Sequence, residues 1–353
     1  MLNLFNLKKI TVVIITYNRH IYLKRTLNYW LNYDIKVLIL DGTIKKFEDP
    51  ILQEKNIKYI HDPRSVNRRF LNSINYIDTE FMVVSADDEF YLPSALSTCV
   101  DFLSMDESYS SCGGRAVGFL TKEKKILGVR QYPKLRDLCL DNDNASDRII
   151  KHFSAYVPAH YYSVVRVNKW KIICLNVFQK KYNFYASFEM QIEFLIMVSG
   201  KSKIISNLMW MRNNEVPRLD TELETPIETW WYDKKYEFEK LNFLEKMKKG
   251  CKELSQDQNS FLNEENISKL FEVHIKKILE YRKKNIFRKF LNLLPYELET
   301  KLLKLVKKWY RISTGEQNSL DDEINILEKE GVTVNHEELE LITSFIHNSK
   351  NDN

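Results

Sequence analysis

The run ITVVIIT, residues 10–16, decides the fold class. All of its residues are β-branched, which favours a strand over a helix. The apolar side chains inside the run do not alternate with polar ones, so we expect both faces of this strand to be buried. Strands of that kind belong to α/β proteins, in which helices cover both sides of a parallel sheet.

Strand and helix signals alternate downstream of this run. Asn18 is suited to cap a helix that starts just after the first strand. Further elements are expected as strands at 36–40, 57–60 and 81–85 and as helices at 65–77 and from Pro93. Such alternation indicates βαβ units and a largely parallel sheet, so the predicted fold class is α/β.

The second half of the chain changes character twice. Strands are expected near 110–120, 161–167 and 203–212, and a helix over 188–200 ends at Gly200. From about residue 216 the sequence is almost wholly helical in pattern. We therefore predict a nucleotide-binding α/β domain over residues 1–215 and a helical domain over residues 216–353.

Charge is distributed unevenly along the helical part. Residues 271–311 carry 12 Lys and Arg against 4 Asp and Glu, whereas residues 312–353 carry 2 against 10. The basic block also holds apolar residues at helical spacing: Leu291, Leu294, Leu298, Leu302, Leu305 and Trp309. This stripe favours either packing on the catalytic domain or peripheral attachment to an anionic membrane. The acidic tail is expected to cover the basic block or a second subunit of a homodimer.

Several classes of protein do not fit the sequence. The five cysteines are scattered without a C-x-x-C motif, as expected for reduced thiols in the cytoplasm. No Cys or His cluster has the spacing of zinc ligands, so the sequence predicts no zinc site. No apolar stretch approaches the roughly 18–20 residues of a membrane span. We expect a cytoplasmic protein, peripheral at most to the inner face of the membrane, with no nucleic-acid partner.

Acidic residues follow two of the predicted strands. Asp41 ends the second, and Asp87, Asp88 and Glu89 come just after the fourth. Ligands of parallel sheets bind at the carboxyl ends of the strands, where these carboxylates are expected to lie. Clustered carboxylates need a counter-cation, and Mn²⁺ or Mg²⁺ would supply it while neutralising a substrate diphosphate. The alternative interpretation is an exposed acidic turn that caps the next helix.

Three segments in a fixed order carry a family resemblance. They read VVIITYNR (12–19), LILDGT (38–43) and FMVVSADDEFYLPSAL (81–96). Together they resemble the family-2-like glycosyltransferases of bacterial capsule and lipopolysaccharide gene clusters, over about residues 8–215. The resemblance implies a GT-A, Rossmann-like fold. It also implies transfer of a sugar from a nucleotide diphosphate, UDP above all, to a hydroxyl of a glycan or lipid-linked acceptor.

The resemblance assigns donor-binding roles to matching positions. The candidates are Thr16, Tyr17, Asp41, Arg68, Asp87 and Arg212. Asp41 would hydrogen-bond the base or ribose, and the arginines would contact the diphosphate. Of Arg68 and Arg69, one is expected to point inward and the other to solvent.

The metal ligands implied by the resemblance are Asp87, Asp88 and Glu89, in the D-x-D region of the family. Ser85 stands where the first acid of the motif is often found. The spelling of the motif therefore leaves open which of the three carboxylates bind Mn²⁺ or Mg²⁺.

A catalytic base is implied at Glu189. Inverting members of the family often carry an acid at the start of a helix, eleven residues before a glycine, and that offset from Gly200 leads to Glu189. An acceptor hydroxyl must lose its proton as the glycosidic bond forms, which a carboxylate can accept. The alternative is a helix-start acid with no chemical role.

Two other functions remain open on the sequence alone. A nucleotidyl or other phosphoryl-group transferase also uses metal-binding acids, although no G-x-x-x-x-G-K-[ST] loop follows the first strand. A non-catalytic GT-A scaffold would explain the missing first acid of the motif.

Overall fold

The computed structural model describes residues 4–123, 125–184, 186–215, 225–255, 262–284, 298, 301–302 and 318–348. Parallel strands and their connecting helices form its N-terminal half. These elements are β1 (Ile10–Thr16), α1 (His20–Trp30), β2 (Lys36–Asp41), β3 (Ile57–His61), α2 (Val66–Ser73) and β4 (Phe81–Ala86). The strand order is β3-β2-β1-β4, so β1 lies between two neighbours, as its uninterrupted burial requires.

The next elements extend this sheet with antiparallel and parallel strands. They are β5 (Phe90–Tyr91), α3 (Pro93–Met105), β6 (Tyr109–Lys122), β7 (Lys125–Arg130), α4 (Ala145–Ser154), β8 (Val164–Arg166), α5 (Val167–Val177), α6 (Ser187–Ser199) and β9 (Lys201–Asn213). The order continues from β4 as β8-β6-β9-β5, and β7 pairs with β6. The predicted α/β fold, a mostly parallel Rossmann-like sheet flanked by helices and followed by a helical region, is confirmed.

The helical region packs on the sheet in two separate places. Its helices are α7 (Ile227–Tyr232), α8 (Glu237–Leu254), α9 (Glu264–Lys284), α10 (Leu320–Lys329) and α11 (His336–Asn348). Helices α8 and α9 share one hydrophobic core with α4, α5 and α6. Helices α10 and α11 join the other core, which contains β1, α1, α3 and β6. Residues on both sides of position 215 thus build each core, and the domain boundary at 215 stays a prediction.

Much of the basic block lies outside the described residues, including 285–297 and 303–317. The leucine stripe can therefore be followed only at Leu298 and Leu302. In the part of the chain that the structure describes, no helix is long and apolar enough to span a membrane.

Two local expectations were wrong. Asn18 does not cap α1: it has a positive φ of 57°, and Arg19 is the N-cap residue. The strand expected at 161–167 shrinks to β8, because α5 already begins at Val167. Within the described residues, α10 of the acidic tail packs on β7 and α11 packs on α1, and its contact with the basic block or with a second subunit stays a prediction.

Glu338 of α11 caps the start of helix α3. The N-cap residue Leu92 offers no side-chain acceptor, and Pro93 has no backbone N–H. The buried Glu338 carboxylate instead accepts hydrogen bonds from the Ser94 backbone N–H at 2.9 Å and from the Ser94 hydroxyl at 2.7 Å. The tail therefore supplies a cap that the local sequence of α3 lacks.

Replacing Glu338 by alanine should destabilise the protein by about 1 kcal/mol, the usual cost of losing a helix N-cap. The free energy of unfolding in urea would measure this. Glu337→Ala is the matched control, since Glu337 is exposed on the same turn of α11. Equal stability of the two variants would show that the Glu338 contact contributes nothing to the cap.

Candidate active site

The carboxyl ends of β1, β2 and β4 meet at one edge of the sheet. Thr16 pairs with Asp41 across β1 and β2, and Ile15 pairs with Ala86 across β1 and β4. The Thr16 hydroxyl donates a hydrogen bond to Asp87 Oδ2 at 2.6 Å. Sheet register alone thus brings Asp41 and the acids after β4 to either side of the end of β1.

Helix α1 fixes the turn that carries the acids. The Thr26 hydroxyl donates to the Asp87 carbonyl at 2.7 Å, and the Arg25 guanidinium donates to the Asp88 carbonyl at 3.1 Å. Both donors lie on the buried face of α1. The acids therefore belong to a turn with bonded backbone carbonyls and not to a solvated loop.

Arg19 is the counter-cation of Asp87 and Asp88. Its guanidinium donates to both carboxylates, with contacts of 3.3 Å to Asp87 Oδ2 and 3.1 Å to Asp88 Oδ2 and a shorter one to Asp87 Oδ1. Burial raises the pKa of Asp87 to about 7, against the opposing charge of Arg19. Burial likewise raises the pKa of Asp88. The exposed acidic turn considered from the sequence is wrong, because both side chains are buried.

Glu89 points to a different cation. Its Oε2 accepts a hydrogen bond from Trp210 Nε1 at 2.9 Å, and its Oε1 lies 3.6 Å from Arg212 Nε. Burial and the neighbouring Asp88 charge raise the pKa of Glu89 to about 8. Of the three consecutive acids, Asp87 and Asp88 therefore contact Arg19, and Glu89 faces Arg212.

The donor set at Arg19 fits a divalent cation. Two carboxylates from consecutive residues converge on one positive group, and Mn²⁺ or Mg²⁺ commonly binds through one or two carboxylates plus substrate phosphates. Glu89 does not share this convergence, because Trp210 and Arg212 hold it. The guanidinium of Arg19 and a metal ion would compete for the same oxygens.

Asp41 is fully buried within a ring of donors. Its Oδ1 accepts from the Thr43 backbone N–H at 2.8 Å, and its Oδ2 accepts from the Tyr59 hydroxyl at 2.7 Å and lies 2.8 Å from His20 Nε2. Burial alone would raise the pKa of Asp41, but the hydrogen bonds from Tyr59, Thr43 and His20 lower it below its ordinary value. Asp41 is therefore a carboxylate at neutral pH.

Arg69, rather than Arg68, is the inward residue of the arginine pair. Arg68 is exposed, whereas Arg69 is buried and packs its guanidinium against Gly42. A Cβ at position 42 would lie 1.9 Å from Arg69 Nη1, so the glycine makes room for this side chain. Arg69 thus lies beside Asp41. Tyr17 follows β1 with its ring 39% exposed, at the mouth of the site.

Glu189 lies in the first turn of α6, as the sequence predicted. The Tyr156 hydroxyl donates a hydrogen bond to its Oε1 at 3.0 Å. Burial would lower the pKa of Arg212, but Tyr132, Glu89, Tyr162 and Glu189 raise it above its ordinary value. Arg212 therefore interacts electrostatically with both Glu89 and Glu189.

Glu193, one turn after Glu189 in α6, lies in the interior of the protein. It is fully buried, and its Oε1 accepts from the Tyr161 backbone N–H at 2.7 Å. It is therefore not a solvent-facing neighbour of Glu189.

Sequence reasoning missed Arg19 and the aromatic partners of Arg212. Arg19 stands inside the quoted VVIITYNR segment, and its charge just past the end of β1 was a usable signal, because the predicted acids follow the adjacent strand. Tyr132 contacts Arg212 through its hydroxyl, and its ring stacks on Trp210. Tyr132 lies in an irregular stretch with no pattern that could have placed it.

The comparisons with known proteins agree with this geometry. Residues 11–158 match the family model Glycosyl transferase family 2, which is less than half of the chain. No curated protein matches the sequence significantly.

Solved structures of S. aureus TarS are similar to the chain at low identity. TarS 1-349 gives a TM-score of 0.44 at 13% identity, covering 78% of this chain and 92% of that one. TarS 1-349 in complex with UDP-GlcNAc gives a TM-score of 0.46 at 14% identity, covering 71% of this chain and 74% of that one. Another structure of TarS gives a TM-score of 0.45 at 13% identity, covering 75% of this chain and 55% of that one. Likeness at this level carries no argument about activity.

The family match covers β1 to β4, the acid turn and Asp41, and so contains most of the site described above. The prediction of a glycosyltransferase is confirmed by it. Residues 11–158 thus match a glycosyltransferase domain of family 2.

Proposed function

We propose that the protein transfers a sugar from a nucleotide-diphosphate donor to a hydroxyl of a glycan or lipid-linked acceptor, with inversion, in surface-polysaccharide synthesis. The observation that carries the proposal is that Asp41, at the end of β2, and Asp87 and Asp88, just after β4, lie on either side of the end of β1 at one edge of the sheet. A nucleotide diphosphate needs a base or ribose acceptor and a charge-neutralising group at such an edge.

Each group has a separate task in this proposal. Asp41 hydrogen-bonds the nucleoside once a present partner, Tyr59 or His20, gives way, because its carboxylate is fully buried. Asp87 and Asp88 would hold the divalent cation that family-2 enzymes generally use, and that ion would stabilise the leaving diphosphate. Arg212 contacts the diphosphate from the opposite side of the acid turn, and Glu89 orients Arg212.

Glu189 is the proposed base. Its Oε1 accepts a hydrogen bond from the Tyr156 hydroxyl, and its charge acts on Arg212, the residue proposed to contact the diphosphate. Accepting the acceptor's proton there would let the new bond form opposite the departing diphosphate, which inverts the anomeric carbon.

Thermal shift with UDP, GDP, CDP and CMP, each with and without Mn²⁺, tests donor class and metal dependence together. A ligand that binds only the native state at 100 times its Kd adds about 2.7 kcal/mol of stability. UDP with Mn²⁺ should give the largest rise in Tm. A rise with none of the nucleotides would refute the proposed function.

Asp41→Asn should weaken nucleotide binding by about 10- to 100-fold, with or without Mn²⁺. The change keeps the side chain's size but removes the charge that strengthens its hydrogen bonds, worth about 1.5–3 kcal/mol. Titration calorimetry with UDP would measure it. Asp78→Asn is the matched control, because Asp78 pairs with Lys36 at the start of β2, the other end of the same strand. A loss seen only with Mn²⁺ would place Asp41 in the metal shell instead.

A further inference from the structure

Three buried residues form a second candidate metal site, away from the acid turn. His152 lies in α4, His160 in the one-turn helix His160–Tyr162, and Glu193 in α6. All three side chains are fully buried, and each offers one ligand atom within 4.8 Å of the others. They come from three different segments of the chain, so only the fold brings them together.

Two of the three ligands already have a hydrogen bond to a neighbouring residue. His160 Nδ1 lies 2.8 Å from the Ser202 hydroxyl oxygen, and Glu193 Oε1 accepts from the Tyr161 backbone N–H at 2.7 Å. These contacts set the orientation of the imidazole and of the carboxylate. Supporting bonds of this kind are typical of the groups that surround a metal's own ligands.

The remaining polar atoms of the cluster have no hydrogen-bond partner among the described residues. They are His152 Nδ1 and Nε2, His160 Nε2 and Glu193 Oε2. His152 Nε2 and Glu193 Oε2 lie only 2.9 Å apart, yet their alignment is not that of a hydrogen bond. Two close atoms without a hydrogen bond between them fit lone pairs directed at a common third atom. Buried polar atoms without a partner are costly, and an ion would satisfy them.

We propose that His152, His160 and Glu193 bind one Zn²⁺ ion. Two imidazoles and one carboxylate are a known zinc ligand set, with bonds of about 2.0–2.2 Å and a fourth position for water. Mg²⁺ and Ca²⁺ prefer sets made only of oxygens, which this cluster does not offer.

The ion would fasten the segments that carry the aromatic side of the active site. Tyr156, which hydrogen-bonds Glu189, lies just after the end of α4, the helix that holds His152. Tyr162, in the same short helix as His160, stacks on Trp210 with ring centroids 4.4 Å apart. The ion would therefore hold together the segments that carry Tyr156 and Tyr162, and the inference does not depend on which sugar is transferred.

Metal analysis of the purified protein tests the inference. The full chain, prepared without a histidine tag and dialysed against a weak chelator, should contain about one zinc per chain by plasma mass spectrometry. Cobalt exchanged into the protein should give the intense visible bands of a four-coordinate ion, which six-coordinate Co²⁺ at a carboxylate site would not give. Asp88→Asn should keep both signals, which separates this site from the acid turn.

His160→Gln should lose the zinc and the cobalt bands and lower Tm, while Ser202→Ala should keep the metal but bind it 10- to 100-fold more weakly, as for other supporting groups. If a variant fails to fold, the wild-type metal content and cobalt spectrum still decide the question. Wild-type protein with no zinc, and no four-coordinate cobalt spectrum after reconstitution, would overturn the proposal and leave a buried water in the cluster.

Discussion

Glu189→Gln is expected to lower turnover by about 10²–10⁴-fold while donor binding stays unchanged. General-base catalysis typically contributes that much, and glutamine keeps the size and the hydrogen bond of the side chain but cannot take a proton. Rates of sugar transfer and calorimetric binding of the donor would be measured on the same preparation. The product should carry the opposite anomeric configuration to the donor by NMR.

The neighbourhood of Glu189 offers a graded control. Tyr156→Phe removes the hydroxyl that orients the carboxylate but leaves the base in place, so its effect on turnover should be much smaller. Glu193→Gln is not a suitable control, because that residue is fully buried. Retention of configuration, or wild-type turnover by Glu189→Gln, would return Glu189 to the role of a helix-start acid.

Asp88→Asn should abolish most metal-dependent nucleotide binding while the protein stays folded. Losing a metal ligand should weaken Mn²⁺ binding by at least about 100-fold, the upper end of the effect of groups one step removed from the ion. The fold should tolerate the change, since Asp87 keeps its bonds to Thr16 and Arg19 and one of two adjacent buried charges disappears. Mn²⁺ titration followed by electron paramagnetic resonance would give the affinity.

Arg19→Met provides the opposite expectation at the same carboxylates. Removing the competing guanidinium should strengthen Mn²⁺ binding, and Mn²⁺ should restore the stability that the variant loses from two unpaired buried charges. Glu89→Gln should leave Mn²⁺ affinity unchanged, because Trp210 and Arg212 hold that residue away from the pair. Normal Mn²⁺ affinity in both Asp87→Asn and Asp88→Asn would refute the metal role of the acid turn.

The sequence predicted what depends on short-range pattern. The β-branched run at 10–16, the apolar strands at 36–40 and 81–85 and the acids at their ends were sufficient to place Asp41, Asp87 and Asp88 at one edge. Parallel pairing brings the ends of adjacent strands to the same edge of the sheet, whatever side chains lie between them. Glu189 came from a family offset, and the structure shows it in the first turn of α6; its role as a base stays a prediction.

What the sequence missed depends on contacts between distant segments. The counter-cation of the acids was expected to be a metal, but Arg19 pairs with Asp87 from 68 residues away. The zinc cluster joins positions 152, 160 and 193, whose spacing follows no zinc motif, since helices α4 and α6 meet only after the core has formed. Likewise, no local rule connects an acid in α11 with the uncapped start of α3.

The hydrogen bonds between Glu338 and Ser94 can form only late in the synthesis of the chain. The two residues are 244 positions apart, so at about 5–20 residues per second a ribosome needs roughly 12–50 s between making helix α3 and making its cap. During that interval the nascent glycosyltransferase domain lacks α10 and α11, and the apolar surface of α1 that faces α11 is open to solvent. The part of the chain that matches the family model is therefore translated before the helices that complete its packing. A fragment that stops short of α11 would leave the apolar surface of α1 exposed.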